Sequence, residues 1–136
     1  MMSHVKSMLQ AHPKEDLGIE QETLAACIAA CFECSQTCTA CADACLSEPM
    51  AGELVSCIST DQDCADICLT TGRVLTRLTG ENKNVVRAML QACREACRAC
   101  AQECEEHAEM HEHCRLCAQA CRRCEAACDE LLSALA

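Results

Sequence analysis

Residues 27–45 read CIAACFECSQTCTACADAC and place six cysteines at steps of 4, 3, 4, 3 and 4. The rhythm recurs along the chain. Cys27, Cys31, Cys34, Cys38, Cys41 and Cys45 form one run, and Cys57, Cys64 and Cys68 a second. Cys93, Cys97, Cys100 and Cys104 form a third, and Cys114, Cys117, Cys121, Cys124 and Cys128 a fourth. Thirteen of the seventeen gaps between successive cysteines are 3 or 4. Thiolates are soft ligands that select Cu(I), zinc and iron–sulfur clusters, so these stripes carry chemistry for holding metal or exchanging electrons.

Spacing and charge discriminate among those uses. Neighbouring helical thiols bracket one ion between them, which suits Cu(I) with two or three sulfur ligands. Zinc asks for four ligands in a tetrahedron. Eighteen buried thiolates are intolerable in an apolar core unless neutralised, and about one Cu(I) per thiolate does so, whereas tetrathiolate zinc leaves about two negative charges per site. The C-x2-C-x2-C runs of iron–sulfur proteins are absent. Structural disulfides would need suitably placed partners across the helices. Catalysis needs one activated thiol, and eighteen similar ones single out none, even with His107 near Cys104. Multiple Cu(I) ions are the expected cargo; a zinc or general thiol metal and redox buffer is the alternative.

The elements that must position these thiols follow from the same step, because positions i, i+3, i+4 and i+7 share one face of an α-helix. Four helices are predicted, with cysteine where a coiled-coil seam carries Leu or Ile. Ser47 is read as a cap and Pro49 as part of the first turn of the second of these helices; Gly80, in LTGENKN, is where that helix would end. The link between the last two falls between Cys104 and Cys114. A short helix over residues 3–10 precedes Pro13, and HPKEDLG follows as a linker. No strand pattern is present. The fold class is therefore all-α: an antiparallel four-helix bundle with a cysteine-lined core over residues 20–136, preceded by a short helix and linker over residues 1–19. Ala30, Ser35, Ala42, Ala44, Ala96, Ala101, Ala118 and Ala120 flank the seams and let the helices approach closely. Arg94, Glu95, Arg98, Glu103, Arg115, Arg122, Arg123 and Glu125 fall on the outer faces.

Alternating helix directions make the two bundle ends unlike. Cys45, Met50, Cys57, Cys104 and Cys114 gather at one end, where the third seam continues in steps of 3 and 4 to His107 and His111, with Met110 and His113 nearby. Leu24, Leu75, Leu78, Val86, Leu90, Leu131 and Leu135 continue the stripes at the other end. His and Met can pass Cu(I) on, so the first end reads as a mouth; a His- and Met-rich surface loop is the bland reading. Asp61 stands in the second thiol stripe, at the 4-step after Cys57. Either the helix rotates locally and frees it to solvent, or it is a metal ligand or proton acceptor for neighbouring thiols, since an unpaired buried carboxylate is costly.

Composition bounds the setting. The chain has 136 residues, a formal charge of −10, one Phe and no Trp or Tyr. Such acidity argues against nucleic acid or anionic membrane as partners. No stretch reads as the ~20 apolar residues of a span. The N-terminal segment lacks a signal-peptide core, so a cytoplasmic location is expected, where thiols stay reduced.

The runs CIAACFECSQTCTACADAC, CISTDQDCADIC, CREACRACAQEC and CRLCAQACRRCEAAC resemble the Csp family of bacterial copper storage proteins, in its cytosolic branch, over residues 20–136. The resemblance implies Cu(I) along the bundle axis, held mostly by pairs of thiolates, and association into homotetramers. It supports His107, His111, His113 and Asp61 as ligands beside the cysteines. Expected donors are a copper chaperone or a low-molecular-weight thiol, and the expected role is cytosolic copper storage and detoxification.

Overall fold

The computed structural model describes residues 2–14, 16–80 and 82–135; Glu15 and Glu81, in the two predicted links, lie outside them, as do Met1 and Ala136. Helix α1 spans Met2–Ala11, α2 Gln21–Leu46, α3 Val55–Thr76, α4 Lys83–Glu105 and α5 Glu112–Leu135, with a 3-10 turn at Ala51–Leu54. Among the described residues there is no strand. The long helices pack α2 on α3 and α5, and α4 on α3 and α5, which closes the ring of an up-down-up-down bundle. Helix α1 lies against α2 and buries Leu9.

Cysteine builds the core because the 3/4 step turns every thiol inward. All eighteen are at most 1% exposed. Neutral buried cysteine packs as a small hydrophobe, so the bundle can close without metal. Larger aliphatic groups seal one end: Leu24, Leu75, Leu90 and Leu131 are buried, with Leu78, Val86 and Leu135 packed on them. Between α2 and α3 the separation is short enough that the Ser35 hydroxyl donates to the Ala65 carbonyl at 2.9 Å. Gly72 leaves room there for the Phe32 ring, whose nearest atom is 2.9 Å from where a Cβ would stand.

Helix boundaries differ from the sequence expectation at two places. Ser47 ends α2, its backbone N–H bonding the Ala44 carbonyl at 3.0 Å, and does not cap α3. The 3-10 turn after Pro49 supplies the first turn before α3, so Pro49 lies ahead of that helix. Helix α3 stops at Thr76, before Gly80, with Arg77 extended. That early exit lets Leu78 fold onto the sealed end, where the Lys14 ammonium donates to its carbonyl at 3.3 Å. Gly18 has φ 69°, a conformation that favours glycine, and its N–H bonds the Asp16 carboxylate at 2.9 Å, turning the chain into α2.

By length and composition alone α2 is apolar enough to cross a membrane, contrary to the sequence reading. Its apolarity is largely cysteine, and those cysteines face the bundle. The outer faces carry ion pairs, including Arg94–Asp129 at 2.7 Å, Arg122–Glu105 at 2.9 Å and Arg123–Glu33 at 2.5 Å. Exposed pairs of this kind contribute only about 0–1 kcal/mol each.

Asp61 is fully buried in the middle of the thiol core, which removes the alternative that it reaches solvent. Its Oδ1 accepts from the thiols of Cys100 at 3.0 Å, Cys117 at 3.3 Å and Cys104 at 3.5 Å. Burial, then the nearby Cys117, pushes its carboxyl up to about 8. An unfolded Asp titrates near ~3.9. From about pH 4 to about pH 8 the native state therefore holds a proton that the unfolded chain has lost, and stability falls as pH rises through that window. Asp61→Asn should make the reduced, metal-free protein more stable than the parent at about pH 8, by on the order of a few kcal/mol, and the gap should vanish near about pH 4. Urea unfolding at both pH values checks this; a gap independent of pH would contradict it.

Candidate metal centre

The four seams meet along the axis as successive groups of sulfur. Nearest the sealed end, Cys27 and Cys128 are 4.0 Å apart, and Cys31 and Cys124 3.8 Å. Cys68 sits 3.8 Å from Cys93 and 3.5 Å from Cys97. At mid-height Cys34 is 3.7 Å from Cys121 and 4.0 Å from Cys64, while Cys38 is 3.6 Å from Cys121, 3.7 Å from Cys117 and 3.9 Å from Cys100. Toward the other end Cys41 is 3.9 Å from Cys114, and Cys57 3.8 Å from Cys104. All these separations far exceed a ~2.05 Å disulfide, and every cysteine is a free thiol.

Four-sulfur groups overlap along this column. Cys34 joins Cys68, Cys97 and Cys124 in one and Cys38, Cys64 and Cys121 in another, all within 4.8 Å of each other. Cys38 and Cys121 recur with Cys100 and Cys117, and Cys124 recurs with Cys31, Cys93 and Cys128. Cys41, Cys45, Cys57 and Cys114 form a group at the end of the column. Sharing suits ions that bridge sulfurs in clusters; isolated tetrahedral sites would compete for the same thiolates. Burial pushes the Cys45 thiol up to about 11 and raises that of Cys114 as well. These thiols are protonated at neutral pH, so an incoming metal ion must displace protons.

The histidines lie where the sequence placed them, beside the last thiols. His107 sits in the turn after α4, where its N–H bonds the Cys104 carbonyl three residues back at 3.0 Å and its carbonyl accepts from the His111 N–H at 3.0 Å. His113 brings Nδ1 to 3.5 Å from the Cys41 sulfur and 3.6 Å from that of Cys114. His111 is buried, and its ring stacks on that of His113 with centroids 5.4 Å apart. Met50 is half-buried, and Met110 is 69% exposed. Asp61 occupies the column one turn below this end, among Cys100, Cys104 and Cys117.

Two carboxylates at this end stand outside the sequence reading of the site, which does not single out Glu48 and places Glu103 on an outer face. Glu48 Oε2 lies 3.1 Å from His111 Nδ1 and 2.8 Å from His113 Nε2, and the His113 imidazole holds the Glu48 carboxyl below its usual range. Glu103 stands 3.5 Å from His107 Nε2 and accepts from the Ser56 hydroxyl at 2.6 Å. A signal existed for each: Glu48 follows Cys45 at the seam step of 3, and Glu103 precedes His107 by 4.

A cavity of about 280 Å³ opens at the sealed end, between residues such as Leu17, Ile19, Leu75 and Leu78, and no cysteine lines it. The thiols therefore face one another and not this cavity.

Comparison with known proteins agrees with this geometry. The chain is 56% identical to a copper storage protein, Ccsp, from Streptomyces lividans loaded with 10 copper equivalents, with a TM-score of 0.93 over 95% of this chain and 98% of that one. A structure of copper loading to a cytosolic copper storage protein from Streptomyces lividans, with five coppers, is 61% identical, with a TM-score of 0.81 over 82% and 93% of the two chains. The Cu(I)-bound copper storage protein BsCsp3 is 34% identical, with a TM-score of 0.72 over 81% and 98%. The model of the Csp copper storage proteins matches residues 20–133, nearly the whole of the bundle. A buried column of free thiols on that matching scaffold has one reading: the chain belongs to the copper storage protein family.

Proposed function

We propose that Cu(I) enters through the end bearing His107, His111 and His113 and fills the sulfur column at about one ion per thiolate. The ligands are the eighteen cysteines, those three histidines, and Asp61 as a ligand or as acceptor of the protons that thiols release. The observation that carries this reading is the continuity of the column: buried thiols pass from Cys128 to Cys114 with neighbouring sulfurs 3.5–4.0 Å apart. An ion admitted at His113 meets Cys41 and Cys114 at once and always has a further sulfur group below it. The opposite end is sealed by buried aliphatic side chains, which do not bind Cu(I), and no cysteine lines its cavity.

The role is copper storage in the cytosol, as for the cytosolic copper storage protein from Streptomyces lividans, with detoxification as its consequence. The chain has no catalytic role in this reading, since no thiol is set apart from the others beside a cleft. A copper chaperone or low-molecular-weight thiol supplies the metal, and the bundles associate as homotetramers.

Anaerobic titration of the reduced protein with Cu(I), against a chromophoric chelator, should end near 18 ions per chain. An endpoint of only a few ions would overturn storage by the column and favour a zinc or thiol buffer. Apparent affinity should rise from about pH 6 to about pH 8, because each bound ion expels a thiol proton; a flat profile would contradict that exchange. Replacing His107, His111 and His113 together with Ala should slow loading by roughly tenfold or more and leave the endpoint nearly unchanged. Stopped-flow loading at the parental rate would remove the histidine end from the entry path.

A further inference from the structure

Glu48 is neither a thiol nor an imidazole, and Cu(I) has little use for a hard carboxylate. Its position is nonetheless particular. A single oxygen, Oε2, faces His111 Nδ1 at 3.1 Å and His113 Nε2 at 2.8 Å. A carboxylate only accepts, so both of those ring nitrogens must carry the hydrogen. Each neutral imidazole then has its lone pair on the other nitrogen. For His113 that is Nδ1, the atom 3.5 Å from the Cys41 sulfur and 3.6 Å from the Cys114 sulfur. For His111 it is Nε2, in a side chain that is 7% exposed.

We propose that Glu48 is a positioning residue for copper entry, whose one oxygen fixes the tautomers of His111 and His113 so that His113 aims its lone pair at the sulfurs of Cys41 and Cys114. The inference rests on the reading of the histidine end as the entry path. Metal-binding histidines are commonly oriented this way, by a carboxylate on the ring nitrogen that does not bind, and loss of such a partner typically costs about 10–100-fold in affinity or activity. The stacked arrangement of the two rings, 19° from parallel, follows from their sharing one acceptor. Because Glu48 lies on the turn between α2 and α3, whereas His111 and His113 lie at the start of α5, the contact also ties two separate elements together across the mouth.

The tautomers are read without copper, from long-range proton–nitrogen correlations of the reduced, metal-free, nitrogen-15-labelled wild-type protein near neutral pH. His111 should be protonated at Nδ1 and His113 at Nε2. Glu48→Ala should release both tautomers and slow Cu(I) loading about 10- to 100-fold, with the final number of ions unchanged. Glu48→Gln retains an acceptor oxygen and should restore the tautomers and most of the rate. A wild-type spectrum with His111 protonated at Nε2 overturns the proposal, and needs no variant to fold. So does Glu48→Ala loading at the parental rate while the histidine variants load slowly. If the histidine variants themselves load at the parental rate, the entry path is wrong and the proposed role of Glu48 in it falls too, whatever tautomers the spectrum shows.

Discussion

Contact between sulfur atoms governs this molecule, because the same contact is both the packing of the core and the ligand set for the metal. With neighbouring sulfurs at 3.5–4.0 Å, the thiols are in van der Waals reach and the helices are held apart only by small side chains. The separation leaves the thiols unbonded yet near enough for two or three of them to share an ion. A larger hydrophobe at any of these positions would overpack the core and interrupt the column. The cost of a cysteine core is a modest apolar area per residue, and the fold compensates at one end. Leu24, Leu75, Leu90 and Leu131, with Leu9 contributed by α1, supply the bulk that the column lacks. The buried leucines thus gather mostly at that end, with Leu54 in the turn before α3 the exception among them.

Asp61 is the exception within the column, and its surroundings make it intelligible. Three thiols from α4 and α5 converge on one carboxylate oxygen, so the buried carboxyl has partners even before metal arrives. Among the described residues no buried side-chain nitrogen or oxygen lacks a hydrogen-bond partner. Carboxyl and thiols together can hold or hand on protons, which suits a place where each incoming cation must displace one.

Periodic features were the ones legible in the sequence. The 3/4 steps identified all four long helices and their inward faces, since a helix repeats its geometry every turn and needs no knowledge of its neighbours. The unlike ends followed from alternating direction. Ser47 and Gly80 misled because the helix ends here are set by backbone bonds and by where Leu78 must pack, not by a side-chain cap or a glycine. Glu48 was hidden for a tertiary reason: its partners His111 and His113 are 63 and 65 residues further along the chain. The three thiols that the Asp61 Oδ1 accepts from are likewise 39 to 56 residues away, so its burial could be posed from the sequence but not decided.

The preference for a monovalent ion follows from the same burial. A protonated thiol is neutral, and a thiolate balanced by one Cu(I) is neutral, so filling replaces protons by copper without changing the charge of the interior. A divalent ion held by four thiolates would leave the core negative at every site, with only the aliphatic plug and four helices around it. Because the empty and filled states are electrically alike, partial filling leaves no uncompensated charge in the core. The chain's formal charge of −10 is untouched by the exchange. What filling does require is a route along which protons leave as ions enter. At the end where Glu103 holds His107 and Glu48 holds His111 and His113, imidazoles, thiols and the buried Asp61 carboxyl are groups able to carry protons.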